Sequence, residues 1–247
     1  MRLELDQVRK VFEPVAALDG VSLSVERGEQ VALIGPSGAG KTTLFRLLNL
    51  TLRPTSGRVR LDGVDAASLS DGQMQQARRR IGTIYQQHNL VGRLRVVHNV
   101  LAGNLGRWPA WKSLASLVSP RAGEAARALQ RVGIADKLHV RTDALSGGQQ
   151  QRVAIARVLV QDPEVILADE PVSSVDPALA ADIVALLVEI SARAGKTLLV
   201  NLHSVDLALQ HFPRVVGVRG GRVLFDLPPS QVGGELLAAL YAGAQAA

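Results

Sequence analysis

The sequence predicts an α/β fold: a mostly parallel sheet layered with helices, a small antiparallel β subdomain at the N-terminus, and a helical subdomain inserted in mid-chain. Three observations predict it. The apolar run Val31-Ala32-Leu33-Ile34 enters a glycine-rich turn and then a helical stretch, the order strand, tight turn, helix. Val165-Ile166-Leu167-Ala168 and Leu198-Leu199-Val200 are short continuous apolar runs separated by one long amphipathic segment. That is how strands buried on both faces read, with a crossover helix between them. Between about 86 and 160 strand-like runs stop and helical spacing takes over.

Each element follows from its residues. Leu3, Leu5 and Val8 lead into Val11-Phe12, and Leu18 to Val25 alternates apolar with small polar residues, as β structure does. Glu26-Arg27-Gly28-Glu29 is a turn. The helix after the glycine-rich turn runs to about Leu50 and is broken by Pro54-Thr55-Ser56-Gly57. Arg58-Val59-Arg60-Leu61 alternates as a strand and stops at Asp62-Gly63, a hairpin dipeptide. Ile81 to Tyr85 is a further short apolar run. Val96 to Leu105, Gly123 to Val132 and Gln149 to Val160 have helical spacing. Pro177 to Ala194 is an amphipathic helix with proline in its first turn and Gly195 after its end. Val215–Val218 and Val223–Phe225 flank Gly220-Gly221 as a hairpin, and Glu235 to Ala242 forms a short terminal helix. The expected organisation is one domain over 1–247, with a core at about 1–86 and 161–247 and the helical subdomain at about 87–160.

Composition bounds the function. A chain of 247 residues that is 47% hydrophobic can bury a sizeable core, and 3% aromatic content makes that core aliphatic. The absence of cysteine excludes disulfides, thiolate metal sites and cysteine nucleophiles. The net charge is +6, yet no basic run exceeds Arg78-Arg79-Arg80 and no aromatics interleave it, so nucleic acid is not expected as a partner. Met1-Arg2-Leu3-Glu4-Leu5-Asp6 alternates charge with leucine and is no signal peptide. No apolar run approaches the roughly 20 residues a spanning helix needs. The expectation is a cytoplasmic chain whose membrane role, if any, comes through a partner.

Gly35-Pro36-Ser37-Gly38-Ala39-Gly40-Lys41-Thr42, continued by Thr43, matches the phosphate-binding pattern GxxxxGK[ST] in its required strand-to-helix context. This defines a P-loop NTPase core. The glycines let several backbone N–H groups face one anion, and the helix N-terminus adds its dipole. Lys41 supplies charge for the outer phosphates, and the Thr42 hydroxyl suits Mg²⁺. Asp169 ends an apolar strand, where a P-loop enzyme needs a carboxylate for Mg²⁺, and Glu170 beside it is placed to polarise an attacking water. Leu145-Ser146-Gly147-Gly148-Gln149 makes a second helix start with bare N–H groups, an anion site with no lysine. One nucleotide does not need two such sites from one subunit; two nucleotides shared across a dimer do.

With that element the chain resembles the ATP-binding-cassette (ABC) ATPases over nearly its whole length. The resemblance implies ATP and Mg²⁺ as cofactors and a homodimer in which Ser146, Gly147, Gly148 and Gln149 act in trans on the partner's ATP. Phe12 lies where the family stacks an aromatic on adenine. Gln86, with Gln87 as its adjacent alternative, looks like the glutamine that contacts Mg²⁺ and water, in a loop that senses the transmembrane partner. Ser173-Ser174-Val175-Asp176 resembles the loop that crosses the dimer interface, with Val175 in place of the usual leucine, and Asp176 would couple the two copies. His203 resembles the switch histidine that contacts the γ-phosphate. Tyr85–Val91, Val97–Leu101, Trp108–Trp111 and Asn201–Asp206 together look like the ATPase subunit of phosphonate importers, though Val175 and Ser204 depart from that pattern. The implied partners are integral-membrane permease subunits and, indirectly, an extracytoplasmic solute-binding protein, with the chain peripheral at the cytoplasmic face of the inner membrane. The cargo implied is a phosphonate, or phosphite or a related small oxyanion; an importer of another small solute, or a non-transport accessory ATPase of phosphonate breakdown, is the alternative. The Trp108–Pro120 stretch reads as a packed insertion rather than a contact with the membrane subunit.

Overall fold

The computed structural model describes residues 1–109, 111, 122–173 and 175–243. Two sheets form the frame. In the first, β1 (Leu3–Phe12) pairs antiparallel with β2 (Val15–Val25) and with β4 (Ser56–Leu61), which in turn pairs with β5 (Val64–Asp65). The second has six strands in the order β10-β9-β3-β8-β7-β6, built from β3 (Gln30–Ile34), β6 (Ile81–Ile84), β7 (Val165–Asp169), β8 (Thr197–Asn201), β9 (Arg214–Arg219) and β10 (Arg222–Leu227). All but the β9–β10 hairpin pair in parallel, so these strands end along one edge.

The alternation of side chains across this sheet divides the core. Val31, Leu33, Val165, Leu167, Leu199 and Val216 point to a cluster shared with α1 (Lys41–Leu48) and the antiparallel sheet. Ala32, Ile34, Ile166, Ala168, Leu198, Val200 and Val215 point to the other face. There they pack with α3 (Val96–Leu101), α4 (Ala122–Arg131), α5 (Gly147–Gln161) and α6 (Pro177–Arg193). The helices inserted between β6 and β7 therefore share one apolar cluster with the sheet. Asn99, almost fully buried, ties that region together. Its side chain bonds Val91 N–H and C=O at 2.8 and 3.0 Å and the Thr142 hydroxyl at 2.9 Å.

Two helices are absent from the sequence-based reading. One is α2 (Asp71–Arg79), which starts at a capping box between Ser70 and Gln73. The other, α7 (Val205–His211), is capped by the Ser204 hydroxyl. The last helix is α8 (Gly234–Tyr241). Helix α1 stops at Leu48, short of the expected Leu50, because Leu50 turns to a φ of 62°. Its carbonyl then accepts two bonds from the Arg78 guanidinium, at 2.7 and 3.2 Å. Of the Trp108–Pro120 stretch, Trp108 packs against the larger cluster and Trp111 is 72% exposed. Residues 110 and 112–120 lie outside the described residues.

Candidate active site

The carboxyl ends of β3, β7 and β8 bring the candidate residues to one edge of the sheet, the usual place for a ligand in an open α/β fold. From Ile34 the chain turns through Gly35 to Gly40 into α1. Two glycines are forced here. Gly35 has φ 152°, and a Cβ on it would stand 2.0 Å from the Val218 carbonyl oxygen. Gly40 has φ 101°, and its Cβ would meet the Ala17 carbonyl oxygen at 2.4 Å. Helix α1 has no side-chain cap at Gly40, so its first N–H groups stay available to an anion.

A cavity of about 220 Å³ lies over this turn, lined by Ala17, Glu170 and the run Ser37-Gly38-Ala39-Gly40-Lys41-Thr42-Thr43. Lys41 folds back on the loop: its ammonium donates to the carbonyls of Gly35 at 2.6 Å and Pro36 at 2.9 Å. It is only 4% exposed. Burial pushes the ammonium's pKa down, and the nearby carboxylates of Glu170 and Asp169 oppose that push.

Asp169 and Asn201 are register partners on β7 and β8. The Asn201 amide donates to Asp169 Oδ1 at 2.6 Å, and the Thr42 hydroxyl lies 3.4 Å from the same oxygen. Burial raises the Asp169 carboxyl above its ordinary pKa; the Asn201 bond lowers it and Glu170 raises it further. Glu170 leaves the strand with φ 51°, its N–H bonded to the Asn201 carbonyl at 3.2 Å. Its Oε1 meets His203 Nε2 at 2.6 Å. The structure thus brings together Lys41, Thr42, Asp169, Glu170 and His203. Ala17 joins them without having been singled out from sequence, and Asn201, read there only as part of the Asn201–Asp206 run, joins them as the partner of Asp169. A buried asparagine ending an otherwise apolar strand was the available signal for Asn201; Ala17 offered none.

The other candidates stand apart from this cluster. Phe12 ends β1 with 47% of its surface exposed, and the Lys10 ammonium sits 5.2 Å from its ring centre. Gln86 and Gln87 are exposed just beyond β6. Because Ile84 pairs with Ala168, that places them at the same edge as Asp169. Ser146 and Gln149 form a reciprocal capping box at the start of α5, at 3.3 and 3.1 Å. Ser146 and Gly147 are exposed, whereas Gly148 is buried beneath Leu179 of α6, whose Cδ2 lies 2.2 Å from where a Cβ would be. None of Ser146–Gln149 is among the described residues lining the cavity over Lys41. Asp176 caps α6 by accepting from the Leu179 N–H at 3.0 Å.

A metal has a fitting donor set here. Thr42 and Asp169 offer hard oxygens side by side, and the buried, partly compensated carboxyl of Asp169 is the kind of group a cation stabilises. No group of three or more His, Asp or Glu side chains gathers as a complete metal cage among the described residues.

The chain is 56% identical to a phosphonates import ATP-binding protein, PhnC 2, of Pseudomonas aeruginosa strain UCBPP-PA14, over 99% of this chain and 92% of that protein. It is 51% identical to the PhnC protein of Pseudomonas fluorescens strain Pf0-1, over 94% of this chain and 88% of that one. Among solved structures, the dimeric bacterial ABC transporter cassette MJ0796 matches with a TM-score of 0.81 and 31% identity, covering 92% of this chain and 98% of that one. A post-hydrolysis dimer of the same cassette, bound to ADP and Pi, matches with a TM-score of 0.78 and 30% identity, again over 92% and 98%. Residues 18–173 match the family model described as ABC transporter, and the chain belongs to that family.

Proposed function

We propose that this chain is the ATP-hydrolysing subunit of an ABC importer for phosphonates, coupling ATP-driven closure of a dimer to solute uptake. The names of its relatives support the cargo class. The observation that carries the hydrolytic reading is the meeting of Lys41, Thr42, Asp169, Glu170 and His203 around one glycine-rich turn.

In this reading the N–H groups of Gly35–Thr43 hold the nucleotide phosphates, and Lys41 exchanges the Gly35 and Pro36 carbonyls for phosphate oxygens. Phe12, exposed at the end of β1, stacks on adenine. Glu170 orients and polarises the attacking water, and His203 holds the outer phosphate while touching Glu170. Thr42, Asp169 and Gln86 would hold Mg²⁺, which when bound neutralises charge on the phosphates.

Ser146 and Gly147 are exposed and Gln149 is half-buried beside them, and this helix start is the surface offered to the partner's ATP. A second copy completes each site, and Asp176, capping α6 beside Gly148, links the two elements that face that copy. ATP contacts made only in the closed state shift the dimer toward closure, and hydrolysis reverses the shift.

No helix among the described residues is long and apolar enough to cross a membrane. In this reading translocation belongs to permease subunits. The chain docks on them at the cytoplasmic face, and a solute-binding protein delivers cargo from the other side. We assign the nucleotide-binding core to about 1–86 and 161–247 and the helical subdomain to about 87–160. The test is ATP turnover by the chain reconstituted with its permease and binding protein. Stimulation by phosphonate above phosphite and phosphate supports the reading. Stimulation by none of them, with a different solute active, refutes the cargo.

A further inference from the structure

Arg157 of α5 is half-buried, and no carboxylate pairs with it among the described residues. Its guanidinium faces two backbone carbonyls instead. Nη1 donates to the Asn89 carbonyl at 2.7 Å and Nη2 to the His88 carbonyl at 2.9 Å. The planar fork of a guanidinium suits two such acceptors at once, where an ammonium is a single point.

The backbone it holds is strained. His88 and Asn89 have φ 55° and 50°, two successive non-glycine residues in the left-handed region. Side chains disfavour that region, and it persists where the surroundings fix it. The His88 N–H bonds the Tyr85 carbonyl at 3.0 Å, which folds the chain back around Gln86 and Gln87. Gln86 therefore lies between two anchors. One is Ile84, paired with Ala168 in the sheet; the other is the pair of carbonyls gripped by Arg157.

Downstream the chain is fixed without Arg157. Asn99 bonds both the N–H and the carbonyl of Val91. The Asp143 and Thr142 N–H groups donate to the Gly92 and Leu94 carbonyls, each at 3.0 Å. Among the described residues, Arg157 is the one side chain that bonds the backbone of the turn from Tyr85 to Asn89. Its loss leaves the downstream contacts in place and releases that turn.

We propose that Arg157 is a positioning residue for Gln86. It holds the turn after Gln86 in its left-handed conformation and so fixes the glutamine at the strand edge shared with Asp169. The proposal rests on the reading of Gln86 as a ligand of Mg²⁺.

Arg157→Leu removes both bonds, and Arg157→Lys keeps the charge but reaches one carbonyl. In the full chain, turnover at saturating ATP is expected to fall about ten- to a hundredfold in Arg157→Leu, the range for a catalytic group misplaced by up to an ångström, and less in Arg157→Lys. The ATP dissociation constant should stay close to wild type, because the phosphate loop is untouched. The Mg²⁺ concentration for half-maximal turnover should rise several-fold. Without nucleotide, hydrogen–deuterium exchange should rise over residues 85–91 and stay at the wild-type level elsewhere. Gln86→Ala combined with Arg157→Leu should be no slower than Gln86→Ala alone, because a positioning residue acts through the group it positions. Additive losses in the double variant overturn the proposal, as does an exchange increase spread over the whole chain. Should Arg157→Leu fail to fold, Arg157→Lys carries the same cycle. Gln86→Ala separates the failures. Wild-type turnover and Mg²⁺ requirement there remove the Gln86 reading and the proposal with it; a loss there, with wild-type behaviour in Arg157→Leu, removes the positioning role alone.

Discussion

Glu170 Oε1 and His203 Nε2 meet at 2.6 Å across the ends of β7 and β8. The contact joins the group assigned to water with the group assigned to the outer phosphate, so neither moves alone. Glu170→Gln keeps a hydrogen-bonding side chain but loses the base. It is expected to retain ATP binding, to lose about 10²–10⁴-fold in hydrolysis, and to accumulate as an ATP-bound dimer. Size-exclusion chromatography with ATP and a phosphate-release assay check this. Wild-type hydrolysis would remove Glu170 from its role.

Asn201 donates to Asp169 at 2.6 Å from the neighbouring strand. Asn201→Ala leaves that buried carboxyl without its strongest polar support and free to turn from Thr42. The Mg²⁺ concentration needed for half-maximal hydrolysis is expected to rise several-fold with little change in the fold. Metal titration of ATPase activity, beside a circular dichroism melt, measures both.

Gly40 has φ 101°, with the Ala17 carbonyl where a Cβ would go. Gly40→Ala is expected to cost about 1–3 kcal/mol of stability from backbone strain and to reduce ATP binding sharply. Gly38→Ala is the control, since a Cβ there meets nothing within 4 Å although φ is also positive, at 76°. It should bind ATP better than Gly40→Ala. Equal behaviour of the two variants would mean that the close approach of Ala17 does not shape the loop.

Glu164 joins the strand edge to Arg80 at 2.7 Å. That guanidinium, the largest influence, draws the carboxyl from 4.5 down to about 2. A carboxylate lowered on folding adds stability above its unfolded value and loses it as pH falls toward the folded one. Glu164→Gln should therefore lower the melting temperature at neutral pH, and its difference from wild type should shrink between pH 4.5 and about 2. A difference constant across that window would show that the ion pair does not titrate as described.

Most of this architecture was legible because local signals and the global fold agree. The strand runs at Val31, Val165 and Leu198 are apolar on both faces, and in the sheet both faces are covered. The P-loop glycines stand where their spacing puts them because Val218 and Ala17 leave no room for a side chain. What the sequence hid was set by distant partners or by weak local patterns. Helix α2 is polar on most of its surface, and its signal was the capping pair Ser70 and Gln73, not periodicity. Asn201 gained meaning only once β8 paired with β7 in the register that opposes it to Asp169.

Complementation between two inactive variants tests the central claim most directly. Lys41→Ala disables the phosphate loop and Ser146→Arg blocks the start of α5, so neither alone should form an ATP-dependent dimer. Mixed, they can build one intact shared site, from the Lys41 loop of one copy and Ser146 of the other. The account predicts an ATP-dependent heterodimer that binds one nucleotide and regains part of the ATPase activity. No heterodimer and no regained activity, with Ser146→Arg alone hydrolysing ATP at the wild-type rate, would contradict it.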